Sequence, residues 1–205
     1  MSIKQLKAIK FSLSSAHDAN KYFLFGDEHI LIYQARKNCL KNLDINLLEK
    51  YYIDMADDNF DEHLDQCLMS NSLFNEKKVV FLNLSKNRLN KELVERFKKI
   101  MTYETDNCLI TEITNLSKKI IEKDIIGKLD GDGYFIDCSS PYDSEIENYL
   151  ANNLPEYLNK KENINVFLEM YEGNFSALLN DLEILKLLEI TEETEAMKIF
   201  TNNGD

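Results

Sequence analysis

Tyr22-Phe-Leu-Phe-Gly-Asp-Glu-His-Ile-Leu-Ile-Tyr33 runs from an apolar, aromatic-rich segment through a glycine turn into a helix-like one. Tyr22–Phe25 reads as a strand, Gly26 punctuates it, and helical spacing of apolar residues takes over from Ile30 to Lys41. The same exchange repeats downstream. Tyr51–Ile53, Val79–Leu84, Leu109–Ile113 and Tyr134–Cys138 are further strand candidates. Between them lie the helix-like stretches Phe60–Leu68, Lys91–Met101 and Lys118–Leu129. Strand alternating with helix predicts a mostly parallel sheet with helices on both faces. The unbroken run Val79-Val-Phe-Leu82 suits a strand covered on both sides.

After Pro141 no strand candidate remains. A helix is expected near 143–158 with a bend at Pro155, a second over 162–171 ending at Gly173, and a third capped by Asn174. Thr191 opens a fourth. The third carries Phe175, Leu178, Leu179, Leu182, Leu185 and Leu188 at helical spacing. The chain therefore divides into an α/β domain over 1–140 and a small helical domain over 141–205.

The 205 residues carry a formal charge of −12, with 44% hydrophobic and 29% charged side chains. Such a composition suits a soluble protein with a core large enough to need no disulfide or metal. The negative field opposes sequence-independent grip on nucleic acid, which comes from lysine and arginine neutralising phosphates. A local basic patch remains conceivable between Lys86 and Lys99. No signal-peptide pattern is visible near Lys4, Lys7 and Lys10, and no apolar run reaches the roughly 20 residues needed to span a bilayer, so a cytoplasmic location is expected. Cys39, Cys67, Cys108 and Cys138 stand apart without a CxxC pair and read as small buried hydrophobes.

The turn after the first strand is where a P-loop would cradle phosphate. Counted from Gly26, its second glycine, lysine and hydroxyl residue would fall on Leu31, Ile32 and Tyr33, and Asp27 and Glu28 would repel phosphate. The third strand ends Leu82-Asn83-Leu84, where an acid would hold Mg²⁺. No bound cofactor is expected. His17, His29 and His63 lack zinc spacing. The acids Asp54, Asp57, Asp58, Asp61 and Glu62 lack the glycine and ligand spacing of an EF-hand and read as a solvated loop with a helix N-terminus. Asp130-Gly-Asp-Gly133 reads as a plain turn. Leu73 and Phe74, framed by Ser70-Asn-Ser72 and Asn75-Glu76, admit two readings. They close the helix–strand connection as core, or they form an exposed wedge that enters a partner's pocket.

Three segments in this order resemble the delta subunit of the bacterial DNA polymerase III clamp loader. They are Tyr22-Phe-Leu-Phe-Gly-Asp-Glu28, Ser72-Leu-Phe-Asn-Glu-Lys-Lys-Val-Val80 and Tyr171-Glu-Gly-Asn-Phe-Ser-Ala-Leu178. Cys138-Ser-Ser-Pro141 falls where that family leaves its first domain. The resemblance implies an AAA+-like domain without a working P-loop, followed by a helical lid. It further implies a collar domain, missing from this stretch, that joins the other loader subunits. The implied function is to bind the beta sliding clamp and open the ring, so that DNA is met only within the complex. The implied contact is Leu73 and Phe74, with Ser72, Asn71 and Met69 around them. Asn71 stands where the family often has a further apolar anchor. The alternative is an interaction protein of the same degenerate fold with another partner. An enzyme that uses the Gly26 turn for a nucleotide is the third reading.

Overall fold

In the computed structural model, residues 3–13, 19–41, 43, 49–69 and 77–202 are described. The chain forms two compact units, Met1–Ser139 and Ser140–Asp205. The first contains strands β1 (Ile3–Lys7), β2 (Lys21–Phe25), β3 (Glu49–Asp54), β4 (Lys78–Leu84), β5 (Cys108–Ile113) and β6 (Gly133–Asp137). All pair in parallel in the order β1-β6-β2-β5-β4-β3. Parallel neighbours need crossovers, and helices provide them. These are α1 (Ala8–Leu13), α2 (His29–Cys39), α3 (Phe60–Met69), α4 (Lys91–Thr102) and α5 (Lys118–Ile120), the last continuing as a π-helical stretch, Ile121–Ile126. This is the parallel α/β sheet that the strand–helix alternation predicts.

The pleat sends alternate side chains to opposite faces. On one face Phe23, Phe25, Val80, Leu82, Leu109 and Phe135 meet Phe60 and Leu64 of α3, Phe97 and Ile100 of α4, and Ile121 and Ile125. Phe23 and Phe135 stack across neighbouring strands at 4.4 Å between ring centroids. On the other face α1 and α2 pack over β1, β6, β2 and β5. Asn90 caps α4 by accepting the Leu93 N–H at 2.8 Å.

Several features of the first unit depart from the sequence expectation, among them helix α1, which no expected stretch covers. Ile3-Lys-Gln-Leu-Lys7 forms an edge strand, too polar for its alternation to stand out. It is held partly by charge, since Lys7 and Lys118 both reach the buried Asp137, at 3.4 and 2.6 Å. Burial opposes ionisation of Asp137, but hydrogen bonds from Lys118 and Ser139 outweigh it and hold the carboxyl below its ordinary value. The Asp130–Gly133 turn is more than a connector, because Asp132 pairs at 2.6 Å with the buried ammonium of Lys21. The π-helical stretch breaks what reads as one continuous helix.

The second unit contains α6 (Asp143–Asn153), α7 (Lys161–Met170), α8 (Phe175–Leu187) and α9 (Glu193–Asn202). Helix α6 stops before Pro155, which cannot continue the ladder, so the expected bend is a termination. Asn174 caps α8 by accepting the Ala177 N–H at 3.2 Å. Phe167 and Phe200 pack at 4.4 Å, and the Tyr171 hydroxyl donates to the buried Asp181. This unit is the all-helical companion of the α/β sheet.

One fully buried polar atom of the first unit, the Thr111 hydroxyl on β5, has no hydrogen-bond partner among the described residues. An unsatisfied buried hydroxyl costs about 1–3 kcal/mol. Thr111→Val keeps the shape and removes the defect, so its thermal midpoint should equal or exceed that of the wild type. A clear fall in differential scanning calorimetry would show a hidden partner for the hydroxyl.

Candidate functional site

The glycine turn after β2 lies against the end of β6. Gly26 has φ +138°, and a Cβ there would sit 2.3 Å from the Cys138 carbonyl carbon and 2.4 Å from the Ser139 nitrogen. The Glu28 N–H donates to the Cys138 carbonyl at 3.0 Å. A phosphate site needs such N–H groups turned toward the ligand, and here one is satisfied by the chain itself. Leu31 and Ile32 are 2% and 7% exposed, so the positions that would carry glycine and lysine are packed inward. At the end of β4 the Asn83 carbonyl accepts the Met55 N–H at 2.8 Å, and Leu84 is fully buried.

The sequence also singles out the connection from α3 to β4. Asn71, Ser72, Leu73 and Phe74 lie outside the described residues. Met69, the last residue of α3, is 71% exposed. What the structure defines is the frame on either side. Phe60 and Leu64 of α3 are fully buried, whereas Cys67, expected inside, is half-buried against the core, as is Leu68. Asp61 and Glu62 occupy the first turn, where the helix dipole favours acids. Lys99 of α4 pairs with Asp61 at 3.0 Å and Asp65 at 2.9 Å. Burial works against charge on Lys99, yet the hydrogen bonds to Asp65 and Asp61 prevail and raise its pKa. Arg96 is buried, donates to the Met55 carbonyl at 2.6 Å and to Glu92, and lies over the Phe60 ring.

At the other end the buried Lys78 opens β4. Its ammonium donates at 2.9 Å to the Cys67 carbonyl in the last turn of α3, and its N–H donates at 3.0 Å to Asn107. A cation on a carbonyl at a helix C-terminus also matches the dipole. The two ends of the 70–77 connection are therefore tied to each other and to the sheet. Sequence reading marks Lys78 only as a basic residue before a strand, because its partner stands 11 residues back in another element. Arg96 and Lys99 are likewise committed to α3, which takes two cations out of the supposed Lys86–Lys99 patch.

Other chemistry finds little footing. Cys39, Cys108 and Cys138 are buried, and Cys67 is half-buried. Burial raises all four thiols, Cys108 to about 12, which keeps them from the nucleophilic thiolate form. His29 opens α2 and His63 lies on α3, while His17 falls outside the described residues. Among the described residues no cluster of three or more histidine, cysteine or acidic side chains could hold a metal. Among them, too, no helix is long and apolar enough to cross a membrane.

Residues 22–139 match the family described as DNA polymerase III, delta subunit. The chain is 28% identical over 187 residues to the DNA polymerase III subunit delta of Buchnera aphidicola subsp. Schizaphis graminum. That alignment covers 87% of this chain and 53% of the relative, so the chain spans about half of its length. Among solved structures, Rif2 in complex with the C-terminal domain of Rap1 aligns with 88% of this chain and 76% of its own, at 13% identity and TM-score 0.45. Domain III of the Thermotoga maritima replication initiation protein DnaA aligns with 95% and 88%, at 11% identity and TM-score 0.33. Likeness that loose carries nothing about function.

Two outcomes are expected from the geometry of the turn. A fluorescent ATP analogue at micromolar concentration should show no saturable binding by anisotropy; binding would mean that the turn opens. Gly26→Ala should lose stability in a denaturant melt by at least the roughly 1–3 kcal/mol of a forced backbone conformation, since the added Cβ meets backbone rather than a yielding side chain.

Proposed function

Because the chain belongs to the DNA polymerase III delta-subunit family, we propose that it binds the beta sliding clamp and opens one interface of the ring. The ring can then encircle DNA during replication. In this reading it is a non-catalytic, cytoplasmic member of the holoenzyme. It works beside the other clamp-loader subunits and meets DNA only within that assembly. Leu73 and Phe74 are the anchors, with Ser72, Asn71 and Met69 beside them, and the helical second unit acts as the lid.

The observation that carries this reading is the family match over 22–139, which spans the Ser72–Val80 segment. The frame around that segment supports it. Helix α3 ends on the exposed Met69, and Lys78 ties the last turn of α3 to the first residue of β4. Anchors on a connection with fixed ends need less ordering when they bind, which conserves affinity. Burying a leucine and a phenylalanine contributes about 1.5–3 kcal/mol each.

The test is the double variant Leu73→Ala with Phe74→Ala, measured twice. Removal of a hot-spot anchor costs at least about 2 kcal/mol, or roughly thirtyfold in affinity per residue. Binding to the cognate beta clamp by biolayer interferometry should be abolished while the melting midpoint stays near that of the wild type. A collapsed melting curve would put the pair in the core, where each truncation costs about 2–5 kcal/mol. Undiminished clamp binding would move the contact elsewhere.

A further inference from the structure

The face of the sheet packed by α1 and α2 is not covered evenly. Register places Tyr52, Phe81 and Ile110 on one rung, and Asp54, Asn83 and Glu112 on the next rung of the same face. Helix α2 packs on β2 and β5, and on the β3–β4 part of both rungs Tyr52 and Asn83 are exposed. Tyr52 is 74% exposed and stacks on Phe81 at 4.9 Å with ring planes 13° apart. Above this platform lies a cleft of about 220 Å³ lined by Arg36, Tyr52, Asp54, Phe81, Asn83 and Glu112.

The charges in the cleft are only half matched. At the β5 end Arg36 pairs with Glu112 at 3.0 Å, so one guanidinium already sits on this rung. At the β3 end Asp54 uses one carboxylate oxygen to accept the Ala56 N–H at 2.8 Å. Among the described residues no cation pairs with Asp54, and the Asn83 side chain makes no hydrogen bond. Lys50 stands on the rung below Tyr52, about 7 Å along the strand from it. The strip thus runs from a cation through an aromatic platform to an unpaired carboxylate.

We propose that this strip is a docking site for an arginine side chain carried by a partner polypeptide. The guanidinium would lie against the outward face of the Tyr52 ring, the face not stacked on Phe81, and donate to Asp54 and to the Asn83 side-chain Oδ1. A cation over an aromatic face beside a carboxylate combines attractions that a neutral side chain cannot draw on. A nucleic-acid strand would also have bases to stack on the rings, but its phosphates would meet Asp54, Glu112 and a chain of net charge −12. The occupant that matches both the rings and the charge is therefore peptide-borne and cationic.

The experiment is a two-dimensional NMR titration of the ¹⁵N-labelled protein at physiological salt. Its probes are the peptide Gly-Ser-Arg-Ser-Gly, the same peptide with citrulline for arginine, and a thymidine decanucleotide. The arginine peptide should shift the Tyr52, Asp54, Phe81 and Asn83 signals in a saturable way, and the other two probes should not. Tyr52→Ala and Asp54→Asn should each weaken binding roughly threefold to fivefold, as expected for exposed cation–π and ion pairs. Both positions lie at the surface, and an unchanged melting midpoint confirms folding. Glu172→Gln, in the second unit, should leave affinity unchanged. Equal binding of the citrulline peptide, shifts scattered over other acidic residues, binding of the oligonucleotide at this rung, or no shift at all would each overturn the proposal.

Discussion

A parallel sheet has to be covered on both faces, because its strands are joined by crossovers and read as apolar on either side. This chain meets that demand fully on one face and partly on the other. Helices α3 and α4 and the π-helical stretch after α5 bury the first face from Ile53 and Leu82 across to Phe135. Helices α1 and α2 cover the second face over β1, β6, β2 and β5 and leave the outer rungs of β3 and β4 in solvent. The covered side fixes the positions of α3 and β4, between which the proposed clamp contact lies. The uncovered side leaves a platform of rings and carboxylates.

The chain is acidic overall, yet its buried charged residues include Lys21, Lys78 and Arg96. Each donates to a backbone carbonyl where an element ends or a loop turns: Met101, Cys67 and Met55. A buried cation is costly unless it is hydrogen-bonded and paired, and Lys21 and Arg96 have an acid as well. These cations satisfy carbonyls that water would otherwise have to reach. Asp137 and Asp181 are buried as well, so the inward-turned cations leave the exterior's net charge close to that of the whole chain.

The repeated strand–helix exchange was legible because apolar runs such as Tyr22–Phe25 and Val79–Leu82 are strong local signals. Edge strand β1 was not, because its lysines and glutamine hide the alternation and its place depends on pairing with β6, 130 residues away. The Asn174 cap was legible from one residue type before an apolar helix, whereas the roles of Lys78 and Arg96 rest on partners in other elements. The Tyr52–Phe81–Asp54 strip was invisible for the same reason. Its residues come from two strands, β3 and β4, and only their register brings Phe81 beside Tyr52. Leu73 and Phe74 stood out in the sequence by their contrast with polar neighbours, a signal that names residues without fixing their surroundings.

The turn after β2 is closed by the chain's own backbone, and the same contact would stiffen the support of the proposed clamp contact. In a sheet that binds nucleotide, the turn after the central strand must keep its N–H groups free and allow a ligand to approach. Here Gly26 packs directly on the Cys138–Ser139 peptide, and Glu28 donates to the Cys138 carbonyl. The end of β2 is thereby locked to the end of β6 without a ligand between them. A nucleotide-dependent opening at this turn would have to break that hydrogen bond and separate backbone from backbone. A subunit that grips a partner through a few anchors gains from a scaffold already in its bound shape, since ordering at the moment of binding subtracts from affinity. A turn closed by its own backbone supplies such a scaffold where β2 meets β6.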